Sequence, residues 1–174
     1  LSIDDLSPFL ELIASEEHLK VMHGADYDVV SLMRDYQIRV GRLYDTMIAA
    51  QFLQTAQLGL AYLIWDCFGL TIEKKYQRHD WSLRPLETEH YDYARGDTHF
   101  LLAIAEEQRR KLRKIGWMHA VEEESEILRT RPCAPPRDRE LDFLRIKNIS
   151  AETTESQRVV RSLVSLRDRL AQQK

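Results

Sequence analysis

Residues 18–24, His-Leu-Lys-Val-Met-His-Gly, form a short apolar run closed by a glycine, and the residues after it carry Val29, Val30, Leu32 and Met33 at helical spacing. That is a strand feeding a helix. The pattern returns more weakly from Ile38 to Leu43, after which Asp45 stands where a helix N-cap belongs, before Met47, Ile48, Ala49 and Ala50. This alternation predicts parallel βαβ packing.

The flanks read as helix. Ser2-Ile3-Asp4-Asp5 reads as an N-cap ahead of an apolar stripe of Leu6, Phe9, Leu10 and Ile13, so a first helix should end near Ser15. An apolar helix is expected from Leu58 to Gly69, followed by a polar and aromatic surface loop from Lys74 to Arg84. Pro85 should open a long helix running to Lys114, with Gly96 as a bend and Gly116 as the stop. A shorter helix should run from Trp117 to about Leu128. The proline-rich stretch Arg131-Pro132-Cys133-Ala134-Pro135-Pro136 marks a domain boundary. Beyond it, Val159, Leu163, Leu166 and Leu170 give one amphipathic helix, which cannot bury its own face.

A length of 174 residues leaves room for one ordinary domain and the beginning of a second. With 44% hydrophobic and 30% charged residues, the balance is that of a soluble globular protein. The longest apolar runs, such as Leu58 to Trp65, fall well short of the ~20 residues a membrane span needs, and no leader pattern opens the chain. The net charge of −3 gives no overall pull toward nucleic acid. Cys67 and Cys133 lack zinc-ligand spacing and are expected to be reduced thiols.

Chemistry concentrates in two places. Tyr93 and Asp97 lie four residues apart on an expected helix, so a phenol and a carboxylate emerge from one face. Asp28 falls in the first turn after the strand ending at Gly24, the edge where open α/β sheets gather their sites. These are parts of a carboxylate site for hard cations such as Mg²⁺ or Mn²⁺, which assist phosphodiester hydrolysis in pairs. On spacing alone, a Tyr and an Asp four apart are more often a surface pair, and a first-turn acid is more often one favoured by the helix dipole than a metal ligand.

The surrounding residues separate these readings. The stretch Lys20-Val21-Met22-His23-Gly24-Ala25-Asp26-Tyr27-Asp28-Val29-Val30-Ser31-Leu32-Met33-Arg34-Asp35 resembles the second motif of ribonuclease D and of the exosome's nuclear exonuclease subunit. Asp80-Trp81-Ser82-Leu83-Arg84-Pro85-Leu86 and Tyr93-Ala94-Arg95-Gly96-Asp97-Thr98-His99-Phe100-Leu101-Leu102 resemble that family's approach to its third motif. Leu43-Tyr44-Asp45-Thr46 also matches a family segment, although Asp45 is better explained as a helix cap than as chemistry. The resemblance covers roughly Lys20 to Leu128. It implies a metal-dependent 3′-5′ exonuclease with an α/β, ribonuclease H-like fold, seen in part, helix-rich with two or three short strands. It also implies that Asp28, rather than Asp26, and Asp97 bind metal, and that Tyr93 orients the attacking water. The expected cofactor is a pair of Mg²⁺ or Mn²⁺ ions, and the expected substrate is the 3′ end of single-stranded RNA, with DNA left open.

Lys74, Lys75, Arg78 and Arg84, with Tyr76 and Trp81 between them, offer phosphate contacts and stacking surfaces, or else form an ordinary polar loop. Lys74, Trp81, Arg84 and His23 are the candidate substrate contacts. The basic run from Arg109 to Lys114 is better explained by the helix dipole. The family's first motif, Asp-x-Glu, should precede His23 and does not; Asp138-Arg139-Glu140 follows the proline-rich stretch, in the wrong order. A fragment of a longer protein is therefore expected, incompetent alone and prone to self-association, with a degenerate non-catalytic RNA-binding or scaffolding module as the alternative. Residues 1–130 would be exonuclease domain, 131–152 linker, and 153–174 the first helix of a truncated helical domain of the HRDC kind, as follows the exonuclease in ribonuclease D. A cytoplasmic location is expected from the resemblance.

Overall fold

The computed structural model describes residues 5–72, 75–77, 79–132 and 139–171, in two compact units, Leu1–Cys133 and Ala134–Lys174. In the first unit, helix α1 (Ser7–Ala14) precedes strand β1 (Lys20–Met22), helix α2 (Asp26–Tyr36) and strand β2 (Leu43–Asp45). Helices α3 (Thr46–Phe52), α4 (Leu60–Phe68), α5 (Thr88–His99), α6 (Leu101–Ile115) and α7 (Met118–Thr130) follow. The strands pair in parallel, with Lys20 opposite Leu43 and Met22 opposite Asp45, so β1–α2–β2 is the expected βαβ unit.

The pleat sorts side chains to two cores. Leu43 faces a cluster with Ile13, Ala25, Val29, Val40 and Leu128, while Tyr44 faces Ala49, Ala105, Leu112 and Val121. Ala50, Leu63, Ile64 and Ile104 form a third cluster among α3, α4 and α6. The architecture is helix-rich α/β, with two short strands among the described residues.

Three boundaries differ from expectation. The first helix starts at Ser7: Leu6 stands at its N-cap and Pro8 lies in the first turn, where its missing N–H is no loss. Ser2, Ile3 and Asp4 lie outside the described residues. The second strand lies at 43–45 rather than at 38–43, because the preceding backbone bonds to helices instead of to β1. The Ile38 N–H donates to Leu32 O at 3.3 Å, and the Gly41 N–H to Ile13 O at 2.9 Å.

The expected long helix is two helices. α5 begins at Thr88, beyond the cis Arg84–Pro85 bond, with Glu87 as its N-cap, and the break falls at Phe100 instead of Gly96. None of the residues of α5 is fully buried, whereas α6 buries Leu101, Ile104, Ala105, Gln108 and Leu112. Phe100 packs on Phe68 with ring centres 5.5 Å apart, so the chain turns where it meets the core. Gly116, in the left-handed conformation at φ +78°, ends α6 as expected.

In the second unit, the stretch expected as linker carries 3-10 turns at Arg139–Arg145 and Ile149–Ala151 before helix α8 (Thr154–Ala171). Gln157 Nε2 donates to the carbonyls of Ile149 and Glu152, each at 3.1 Å, tying α8 to the turn before it. Val164 is buried, while Val159, Leu163, Leu166 and Leu170 are exposed. Asp138 lies outside the described residues.

Candidate active site

The carboxyl ends of the two strands are locked together by Asp45. It is fully buried and caps α3, accepting hydrogen bonds from the N–H groups of Met47 at 2.7 Å and Ile48 at 3.2 Å. It also accepts from Gly24 at 3.1 Å and Ala25 at 2.7 Å, in the turn between β1 and α2. That turn needs Gly24: its φ is +65°, and an added Cβ would meet Met47 at 3.2 Å. The cap was legible in the sequence. The bonds to Gly24 and Ala25 were not, because only the parallel register of the strands brings the two turns together.

This corner sets the start of α2 and hence Asp28 in its first turn. Beside it, Thr46 Oγ1 donates to Met22 O at 3.0 Å and lies 3.0 Å from His23 Nδ1. With its one proton committed, the hydroxyl accepts from His23 Nδ1–H, which leaves the Nε2 lone pair free. Burial lowers the His23 pKa, outweighing the opposing charge of Asp45, and favours this neutral form.

Asp28, His23 and Asp97 line one cavity of about 850 Å³, with Ser31 and Leu101 among its other walls. Burial raises the pKa of both carboxyls, and the charge of Asp45 adds to the effect at Asp28. Among the described residues, no hydrogen bond or ion pair engages either carboxylate, and the buried Ser31 Oγ also lacks a partner. Arg131 pairs with the neighbouring Asp26 at 2.6 Å instead.

Tyr93 lies one turn before Asp97 but borders a separate hollow of about 470 Å³, with Ile72, Lys75, Tyr76, Glu89 and Phe100. Its hydroxyl pKa is raised, by burial first and by the charge of Asp97 second, so the phenol keeps its proton. The structure thus brings Asp28 and Asp97 to one cavity and sets Tyr93 within electrostatic reach of Asp97, on the next hollow.

The candidate substrate residues divide. Trp81 is half-buried, its ring 6.0 Å from that of Tyr93. Arg84 is exposed, but its guanidinium donates to the Trp81 carbonyl at 2.8 Å and the Leu83 carbonyl at 2.7 Å, holding its own loop. Lys75 pairs with Glu89 at 2.8 Å, and Tyr76 donates to the same carboxylate. Lys74 and Arg78 lie outside the described residues. In the basic run of α6, Arg110 and Lys111 both pair with Glu107. Sequence reasoning missed His79 and His90, whose rings stack 4.0 Å apart beneath Tyr76 and Trp81.

Carboxylate oxygens suit hard cations, and Asp28 and Asp97, both exposed residues without an ion-pair partner among the described residues, are open to one. No group of three or more such ligands occurs among the described residues.

Comparison with known proteins extends these observations. A family model described as 3′-5′ exonuclease matches residues 1–113. Protein RRP6-like 3 of Arabidopsis thaliana is 39% identical over 116 residues, which are 66% of this chain and 13% of that protein. Exosome complex exonuclease RRP6 of Saccharomyces cerevisiae is 40% identical over 102 residues, 59% of this chain and 14% of that protein. The chain therefore spans a small part of these relatives. The catalytic core of RRP6 from Trypanosoma brucei superposes with a TM-score of 0.76 at 30% identity, covering 89% of this chain and 44% of that one. Escherichia coli RNase D shares the fold, with a TM-score of 0.73 at 24% identity over 97% of this chain and 45% of that one. Matched to the family model over more than half of its residues and built on the same helix-rich α/β core, this chain belongs to the 3′-5′ exonuclease family, in the group of ribonuclease D and RRP6.

Proposed function

We propose that the cavity walled by Asp28, His23 and Asp97 is the part of a 3′-5′ exoribonuclease site that holds metal and hydrolyses phosphodiester bonds at the 3′ ends of single-stranded RNA. The observation that carries this reading is the pair of carboxylates, Asp28 and Asp97, both with raised pKa, that line one cavity and have no ion-pair partner among the described residues. Asp28 and Asp97 would hold Mg²⁺ or Mn²⁺, which when bound supplies an activated water and positive charge beside the leaving oxygen. Tyr93, protonated and next to Asp97, orients that water through its hydroxyl. His23 offers its free Nε2 lone pair to a donor on the substrate. Trp81 presents a ring face for base stacking. A complete two-ion site needs further carboxylates, which we assign to residues outside these 174.

The absence of a third ligand among the described residues favours a second reading, a non-catalytic RNA-binding module. The test uses the full-length gene product and a 5′-labelled single-stranded RNA, with a DNA of the same sequence alongside. Stepwise shortening in Mg²⁺ or Mn²⁺ that stops with a chelator and in Asp97→Asn is expected. RNA binding without shortening would leave the module.

A further inference from the structure

Tyr93 sits inside a cluster of five aromatic rings, of which the proposed function uses only Tyr93 itself and Trp81. Its ring is 5.8 Å from Tyr76, edge-on at 79°, and 6.0 Å from Trp81. Tyr76 and Trp81 belong to the irregular stretch between α4 and α5, and both lean on His90, on the first turn of α5, at 4.7 Å and 6.2 Å. His79 stacks on His90 at 4.0 Å and meets the edges of Tyr76 at 5.8 Å and Trp81 at 5.4 Å. His90 is the hub on α5, three residues before Tyr93 and so on the same helix face. Its Nδ1 accepts the Glu87 N–H at 3.0 Å, which fixes the ring's plane and leaves its proton on Nε2.

We propose that His90 is a positioning residue: its imidazole, stacked on His79, holds Tyr76 and Trp81 as the two walls that fix the Tyr93 ring beside Asp97. The proposal rests on the reading of Tyr93 as the residue that orients water. Among the described residues, the hydrogen bonds from this stretch to α5 run from Lys75 and Tyr76 to the exposed Glu89, so they anchor one wall only. Loss of the His90 ring frees Trp81 and lets Tyr93 choose another rotamer.

Two substitutions separate this role from helix capping. His90→Asn keeps an acceptor for the Glu87 N–H and removes the ring; His90→Phe keeps a ring and removes the acceptor. In the full-length gene product carrying ¹³C-labelled tyrosine, the Tyr93 ring signals are identified by their loss in Tyr93→Phe. They should shift and broaden in His90→Asn and stay near their wild-type positions in His90→Phe. On RNA, kcat should fall on the order of tenfold in His90→Asn with KM within about twofold, and recover in His90→Phe, as misplacing a catalytic group predicts. Unmoved Tyr93 signals in His90→Asn, or the reverse ranking of the two variants, overturn the positioning role. Moved signals in a protein whose wild type does not shorten RNA support the ring cluster and overturn the exonuclease reading.

Discussion

Asp28 and Asp97 face one cavity from two helices far apart in sequence, and burial makes each carboxyl a weaker acid than usual. A group whose folded pKa is raised binds protons more tightly in the folded state. Its contribution to stability is therefore full below the unfolded value of 3.8 and is lost as pH rises through the folded pKa. Without metal at neutral pH, Asp28→Asn and Asp97→Asn should each raise the melting temperature, and the gain should vanish in acid below that value. Thermal melts across pH in a chelator check it; equal melting at neutral pH contradicts the raised carboxyl pKa values.

The same residues should trade stability for activity. Asp97→Asn should abolish metal-dependent shortening of RNA while leaving end binding largely intact. Tyr93→Phe should keep metal binding and the ring packing but slow turnover on the order of a hundredfold, because only the hydroxyl is lost. Single-turnover kinetics with a separate binding titration distinguish the two. Undiminished turnover in Tyr93→Phe would mean that another group orients the water.

Asp45 carries structure rather than chemistry, and its four accepted bonds predict a graded response. Asp45→Ala strands buried N–H groups and removes a helix cap, so it should cost about 2–4 kcal/mol in urea unfolding. Asp45→Asn keeps Oδ1 for Gly24, Met47 and Ile48 but sets an amide N–H₂ against the Ala25 N–H, so it should fall between. A loss under about 0.5 kcal/mol in Asp45→Ala would show that water replaces the carboxylate.

How far the sequence reached follows from the range of each interaction. The first-turn place of Asp28, the cap at Asp45 and the placing of Tyr93 and Asp97 on one helix are local, and each appears in the structure as read, but Tyr93 borders the hollow beside the Asp97 cavity and not that cavity itself. The helix break at Phe100 depends on packing against Phe68, and the short register of β2 depends on bonds to Leu32 and Ile13. Neither is written in the residues nearby. The His79–His90 stack was hidden for the same reason, because histidines in an irregular loop and on a polar helix show no periodicity until the loop folds back on α5.

Metal stoichiometry gives the last prediction. Two divalent ions bring four positive charges, and Asp28 and Asp97 return two negative ones, so the 174-residue chain should bind one Mn²⁺ weakly and fail to hold a second. Because both carboxyls are raised, protons compete with the ion, and affinity should fall further as pH drops toward the range in which these carboxyls titrate. Leu102, 71% exposed on α6, and the exposed stripe of α8 add apolar surface, so the same chain should self-associate at the concentrations such a titration needs. Mn²⁺ titration followed by electron paramagnetic resonance, with light scattering on the same sample, reads both. Two ions bound per chain, or RNA shortening by the 174 residues that disappears in Asp97→Asn, would show that the site is already complete. A monodisperse monomer would show that the exposed leucines are harmless in water.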